Sequence, residues 1–146
     1  PDLVIDLKAA RPELSSIYGF TFHPQFEKNR YVYICYITPE KKKKEGAKPS
    51  EGSGSRVSRF EMTSDDPPRI DPESEQIVIT WLSGGHNGGC LKFGADGFLY
   101  ISTGDGQGPS PPDALRSGQD VTTLLSAILR IDVDHQEKGK NSEDIR

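Results

Sequence analysis

The chain has 146 residues, among them fifteen glycines and eleven prolines; a third of the residues are apolar and the formal net charge is −4. That length suffices for one domain with a core, but so many turn formers argue against a compact helical domain, and the acidic balance offers no basic field for nucleic acid or an anionic membrane. No apolar run approaches the roughly 20 residues that span a bilayer, and the chain opens on Pro1 without a charged-then-apolar leader, so the expectation is that any signal peptide has been removed or was never included.

In chain order, residues 3–7 read as a short strand and residues 9–16 as a polar connection. "YGFTFHPQF" (residues 18–26) alternates Phe20 and Phe22 with small or polar residues before a turn at His23-Pro24. "RYVYICYI" (residues 30–37) is β-branched or aromatic almost throughout, as in a strand covered on both faces. Residues 39–54 read as a loop, and its basic block, Lys41 to Lys44, is flanked by Glu40 and Glu45 and reads as solvated. "SRVSRFEM" (55–62) is an imperfectly alternating strand, "SDDPPRIDPES" (64–74) a turn region and "EQIVITWL" (75–82) a fourth strand.

The series then restarts. "GGCLKF" (88–93), a turn at "GADG", "FLYISTG" (98–104), a proline-rich loop and "LLSAILRIDVD" (124–134) repeat the earlier order. Phe22 and Phe93 lie 71 residues apart, as do Arg59 and Arg130, and Tyr33 and Tyr100 lie 67 apart. An internal repeat of four antiparallel strands, the second cut after three, is the signature of β-propeller blades. The reading is an all-β fold: a β-propeller fragment of about one and three-quarter blades, with a blade over 17–82, an incomplete blade over 86–134 and a polar tail over 135–146. Such a piece cannot close a ring, since propellers start at about four blades. A small β-sandwich of seven or eight strands is the alternative.

Two cysteines, Cys35 and Cys90, make no metal cluster; both lie in strand-like runs and read as small buried hydrophobes, with a single bridge between them left open. No metal ligands are assigned, because Asp65, Asp66, Asp71 and Glu73 lack the spacing of a calcium loop. "TGDGQG" lacks the Gly-Lys-Ser/Thr ending of a phosphate-binding loop. His23 reads as structural and His135 as solvated.

His86 and Asp105 stand apart. Glycines flank His86 and would let a planar ligand approach the backbone, and a neutral imidazole can act as a general base near pH 7. Antiparallel strands joined by a tight turn bring their far ends together, which predicts that Asp105 neighbours His86 and fixes its tautomer or holds a substrate hydroxyl.

"SIYGFTFHPQFEKNRYVYICYI", "SRVSRF", "HNGGCLKFGADGFLYISTGDG" and "LLSAILRIDVD" occur in the order of the glucose/sorbosone dehydrogenase family, and the chain resembles that family from about residue 17 to 134, with wording closest to large bacterial members of planctomycete type. The resemblance implies a six-bladed propeller outside the cytoplasm, periplasmic or extracellular, that binds pyrroloquinoline quinone and oxidises a hydroxyl of a sugar or related alcohol, passing electrons on to an acceptor such as a cytochrome c. It implies that His86 is the catalytic base, taking the proton of the C1 hydroxyl while hydride passes to the quinone, with Asp105 beside it. It places the cofactor against His86, Asn87 and Gly88, and it makes room for the flat quinone the reason for the flanking glycines. The quinone-clamping basic residues and a calcium site would lie beyond Arg146, so this chain alone is expected to be inactive. Two positions depart from the family pattern: Gly85 stands where sugar-oxidising members carry an aspartate, and the polar residue expected before the first inner strand falls at Leu14 or Ser15. The same family includes propellers that bind proteins without catalysis, which keeps a non-catalytic binder of protein or carbohydrate as the alternative function.

Overall fold

A computed structural model describes residues 2–38, 54–108, 110, 113 and 116–135. The Lys41 to Lys44 block and the tail beyond His135 lie outside the described residues.

The described residues form two antiparallel sheets. The first contains β1 (Ser16–Phe22), β2 (Tyr31–Thr38), β3 (Gly54–Asp65) and β4 (Pro68–Trp81) in that spatial order; the second contains β5 (Gly88–Phe93), β6 (Leu99–Thr103) and β7 (Ile128–Ile131), again in chain order. Among the described residues helix is confined to the single turns α1 (Leu7–Ala10) and α2 (Phe26–Asn29) and a 3-10 turn at Ser117–Gln119. The chain is thus all-β, two consecutive meanders with the strand order of β-propeller blades. None of the described helices is long and apolar enough to cross a membrane.

The repeat persists in register. Tyr33 pairs with Arg59 across β2 and β3, and Tyr100 pairs with Arg130 across β6 and β7. Phe22 and Phe93 face Val32 and Leu99 at the ends of the first hairpins. The Arg59 guanidinium lies 3.9 Å from the Tyr31 ring centroid and that of Arg130 lies 3.6 Å from the Phe98 centroid, cation–π pairs at equivalent places in the two units.

β2 owes its unbroken apolar run to cover on both faces. Tyr33 and Cys35 pack with Val57, Ile79 and Trp81 against Leu91, Leu99 and Ile101 of the second sheet. Val32, Ile34 and Tyr36 pack with Phe60 and Ile70 under Leu7 and Leu14 of the N-terminal segment. That segment is a strap rather than the strand expected over residues 3–7. The Asp6 carboxylate caps the first turn of α1 by accepting the Ala9 amide at 2.9 Å. The Arg11 Nε donates to Glu75 at 2.9 Å, and its Nη2 donates to the Pro72 carbonyl at 3.1 Å. Glu75 also accepts from the Ser58 hydroxyl at 2.6 Å and from the Tyr36 hydroxyl. Burial works to raise the Glu75 carboxyl, but Ser58, Tyr36 and Arg11 together hold it below the ordinary range.

Three further expectations change. Residues 64–74 are largely strand: β3 runs on to Asp65, a two-residue turn follows, and β4 starts at Pro68. Prolines are tolerated there because β4 is the edge of its sheet, where a missing N–H breaks no ladder bond. The strand read over 124–134 shrinks to β7. Cys35 is buried and Cys90 is exposed, both as free thiols, because β5 alternates and turns Gly89 and Leu91 inward and Cys90 outward. Burial pushes the Cys35 thiol up to about 12.

His23 ties the sheets together. Its Nδ1 accepts the Gln25 amide at 3.0 Å and neighbours the Asn29 carboxamide nitrogen at 2.6 Å, which assigns the ring proton to Nε2. Nε2 lies 3.1 Å from the Asp134 carboxylate, beyond the second sheet's last strand, without meeting hydrogen-bond geometry there. The ring also packs edge-on against Phe93.

Candidate functional site

The site forms where two glycine-rich loops meet, residues 83–87 before β5 and residues 104–107 after β6. Their backbones interlock. The His86 amide donates to the Gln107 carbonyl at 3.0 Å, the Gly106 amide donates to the His86 carbonyl at 2.9 Å, and the Gly104 amide donates to the Asn87 carbonyl at 3.2 Å. The contact is too close for side chains: a Cβ on Gly84 would collide with the Gly106 carbonyl, and one on Gly85 with the Gln107 carbonyl. These glycines therefore serve backbone-to-backbone packing, which corrects the expectation that they clear room for a flat ligand. Gly88 and Gly89, at φ +71° and +99°, form a bulge where the β5–β6 register shifts between Gly88 and Leu91. Such a bulge re-aims the chain at a strand end.

On this frame the His86 Nδ1 lies 3.1 Å from the Asp105 Oδ1. Opposite a carboxylate acceptor, Nδ1 carries the ring proton and Nε2 keeps its lone pair. The imidazole is 54% exposed and the carboxylate 19%, so the ring is open to solvent while the carboxylate beside it is set back. Asp105 is itself fixed by the Gln107 amide, which donates to the same oxygen at 3.0 Å. That amide first, then His86, hold the Asp105 carboxyl below the usual carboxylate range against the opposing effect of desolvation.

Of the residues expected at the site, His86 and Asp105 meet directly. Gly88 is exposed at the rim. Asn87 is only 6% exposed and its carboxamide is engaged by the protein: Oδ1 accepts the Gly84 amide at 2.7 Å, and Nδ2 donates to the Gly84 carbonyl at 2.9 Å and the Gly85 carbonyl at 3.3 Å. Asn87 therefore presents no free side-chain group to a cofactor. His135 pairs with Asp132 at 2.8 Å on the surface, away from His86 in the chain and in its contacts. Among the described residues no cluster of three or more His, Cys, Asp or Glu side chains is placed to hold a metal ion.

Two participants escaped the sequence reading. Gln107 acts through its backbone, and the Asp105-Gly106 pair that makes such an Asx turn was the available signal. Ser55, at the start of β3, lies 3.5 Å from the Asn87 Oδ1; nothing in the sequence links two residues 32 positions apart.

The family model described as glucose/sorbosone dehydrogenase matches residues 10–144. Hedgehog-interacting protein of Mus musculus is 30% identical over 118 residues, covering 80% of this chain and 16% of that protein. The PQQ-bound form of aldose sugar dehydrogenase from Streptomyces coelicolor superposes with a TM-score of 0.62 at 24% identity, over 84% of this chain and 33% of that one. The apo form of soluble aldose sugar dehydrogenase from Escherichia coli gives a TM-score of 0.58 at 21% identity, over 89% of this chain and 35% of that one. The chain thus spans about a sixth of that curated relative and about a third of these solved structures.

Proposed function

The chain belongs to the glucose/sorbosone dehydrogenase family, and from that premise we propose that it is part of a longer quinoprotein oxidoreductase that oxidises a hydroxyl of a sugar or related alcohol. The observation that carries the reading is the half-exposed His86 imidazole whose Nδ1 is held by Asp105 at 3.1 Å.

The proposed chemistry follows from that geometry. His86 accepts the substrate hydroxyl proton at Nε2 as the carbinol carbon gives up its hydride. The imidazolium so formed faces the Asp105 carboxylate, which lowers its energy and keeps the ring from turning. Pyrroloquinoline quinone, when bound, supplies the hydride acceptor. The residues present fit one edge of such a group: the open imidazole and the exposed backbone at Gly88 face outward, whereas the Asn87 carboxamide does not. The remaining cradle and any calcium ligands belong to other parts of a parent propeller, read here as six-bladed, with residues 17–82 as one blade and 86–134 as part of the next. The chain by itself is therefore proposed to be inactive. We place the parent outside the cytoplasm, with a cytochrome-type acceptor downstream.

A second reading is a non-catalytic propeller that binds a protein partner, and the similarity to Hedgehog-interacting protein favours it. Reconstituting the parent protein with quinone and calcium, then supplying a panel of aldoses and a dye acceptor, separates the two. Dye reduction that requires the quinone supports the oxidoreductase. Failure to bind quinone overturns it in favour of the binder.

A further inference from the structure

We propose that Asn87 is the positioning residue of this site: its buried carboxamide locks the loop before β5 in the shape that sets the His86 imidazole against Asp105. The proposal rests on the preceding reading only in taking His86 as the reacting group.

Two segments converge on this side chain, and a third meets its backbone. Its Oδ1 accepts the Gly84 amide at 2.7 Å and lies 3.5 Å from the Ser55 hydroxyl of β3, and its Nδ2 donates to the carbonyls of Gly84 at 2.9 Å and Gly85 at 3.3 Å. The Asn87 carbonyl accepts the Gly104 amide at 3.2 Å. The orientation of the amide is dictated by its surroundings, because the reverse would set an NH₂ against an N–H and an oxygen against two carbonyls. Both ends of the carboxamide are matched, at a residue 6% exposed, so removing either end takes a side-chain partner from the Gly84 amide or from the Gly84 and Gly85 carbonyls.

The loop needs such a clamp. Gly84 and Gly85 restrict the backbone little on their own, yet their close approach to the carbonyls of Gly106 and Gln107 tolerates one arrangement. The clamp selects that arrangement on the N-terminal side of His86, and the Gly104 bond fixes the C-terminal side. His86 sits between the two, with its own amide and carbonyl committed to Gln107 and Gly106. The first sheet also enters the site this way: Ser55 pairs with Trp81 in the β3–β4 ladder, so a side chain of one repeat reaches the loop that carries the imidazole of the next.

Asn87→Asp tests this in the chain as it stands. Aspartate keeps the shape and the acceptor oxygens, loses both donations and turns a negative oxygen toward two carbonyls. Imidazole ¹⁵N shifts, read above the protonation range of histidine at about pH 8, report which ring nitrogen of His86 carries the proton. The wild type is expected to show the Nδ1–H form as the major species. In Asn87→Asp the Nε2–H form, which a free histidine side chain prefers, is expected to take over while the far-ultraviolet circular dichroism is unchanged. A folded variant that keeps the Nδ1–H form overturns the proposal. If the variant does not fold, hydrogen exchange of the wild type decides: a Gly84 amide protected as strongly as that of Gly106 supports the clamp, and a Gly84 amide exchanging at the unstructured rate beside a protected Gly106 overturns it. Neither readout involves quinone or turnover, so the clamp and the oxidoreductase reading can fail independently.

Discussion

An imidazole that takes a proton during turnover needs one nitrogen tied down and the other open, and His86 meets that condition through Asp105. Replacing the carboxylate by a carboxamide removes the charge that favours the Nδ1–H form and the imidazolium. Asp105→Asn in the parent protein is therefore expected to lower kcat by about 10²- to 10⁴-fold, the range of general-base contributions, with quinone affinity little changed; steady-state kinetics at saturating quinone checks this. The pairing itself was legible in the sequence, because a hairpin returns its ends to one place and glycine-rich turns mark both ends. The inward role of Asn87 was not. A polar residue between a histidine and two glycines looks like a ligand contact, and only the fold reveals that the Gly84 and Gly85 backbone groups turn back onto it.

At the scale of elements, β5 matched its reading over 88–93 because Leu91 and Phe93 alternate with Lys92 and the following turn is marked by glycines. The prolines of β4 misled, since Pro68 and Pro72 signal turns unless the strand is known to be an edge. The N-terminal strap misled for another reason: Val4, Ile5 and Leu7 carry a strand's composition, and the Val4 carbonyl accepts the Ile70 amide of the β4 edge at 3.0 Å, but the chain then turns into α1 and Leu7 packs with Phe60 and Tyr36. Glu75 holds that strap through Arg11. Its carboxyl is depressed in the folded protein, so its stabilisation is complete above the ordinary glutamate range near pH 4.3 and is lost as the pH falls through the lower folded value. Glu75→Gln is expected to cost about 1–3 kcal/mol at neutral pH, the scale of a charged hydrogen-bond acceptor removed from its donors, and to flatten the acid side of the stability profile; urea unfolding at a series of pH values checks both.

Over the whole molecule, the repeat explains why the two sheets share one apolar core. Each sheet presents a large inward face, and neither face can be exposed to water without loss of the hydrophobic stabilisation that holds the strands. Ile101 is 0% exposed in that shared core. Ile101→Ala is expected to destabilise the fold by about 2–5 kcal/mol, measured by denaturant unfolding, and to loosen both sheets together because Ile101 belongs to the core cluster that Tyr33 and Cys35 of the first sheet share with Leu91 of the second. The same packing carries the site, for the loop bearing His86 leaves the first sheet at Trp81 and enters the second at Gly88.

The most direct test of the account is His86→Ala in the quinone-loaded parent protein, with quinone binding and aldose-dependent dye reduction measured side by side. The account predicts that the quinone still binds and that turnover falls by about 10²- to 10⁴-fold. Turnover at the wild-type rate in that variant would contradict it.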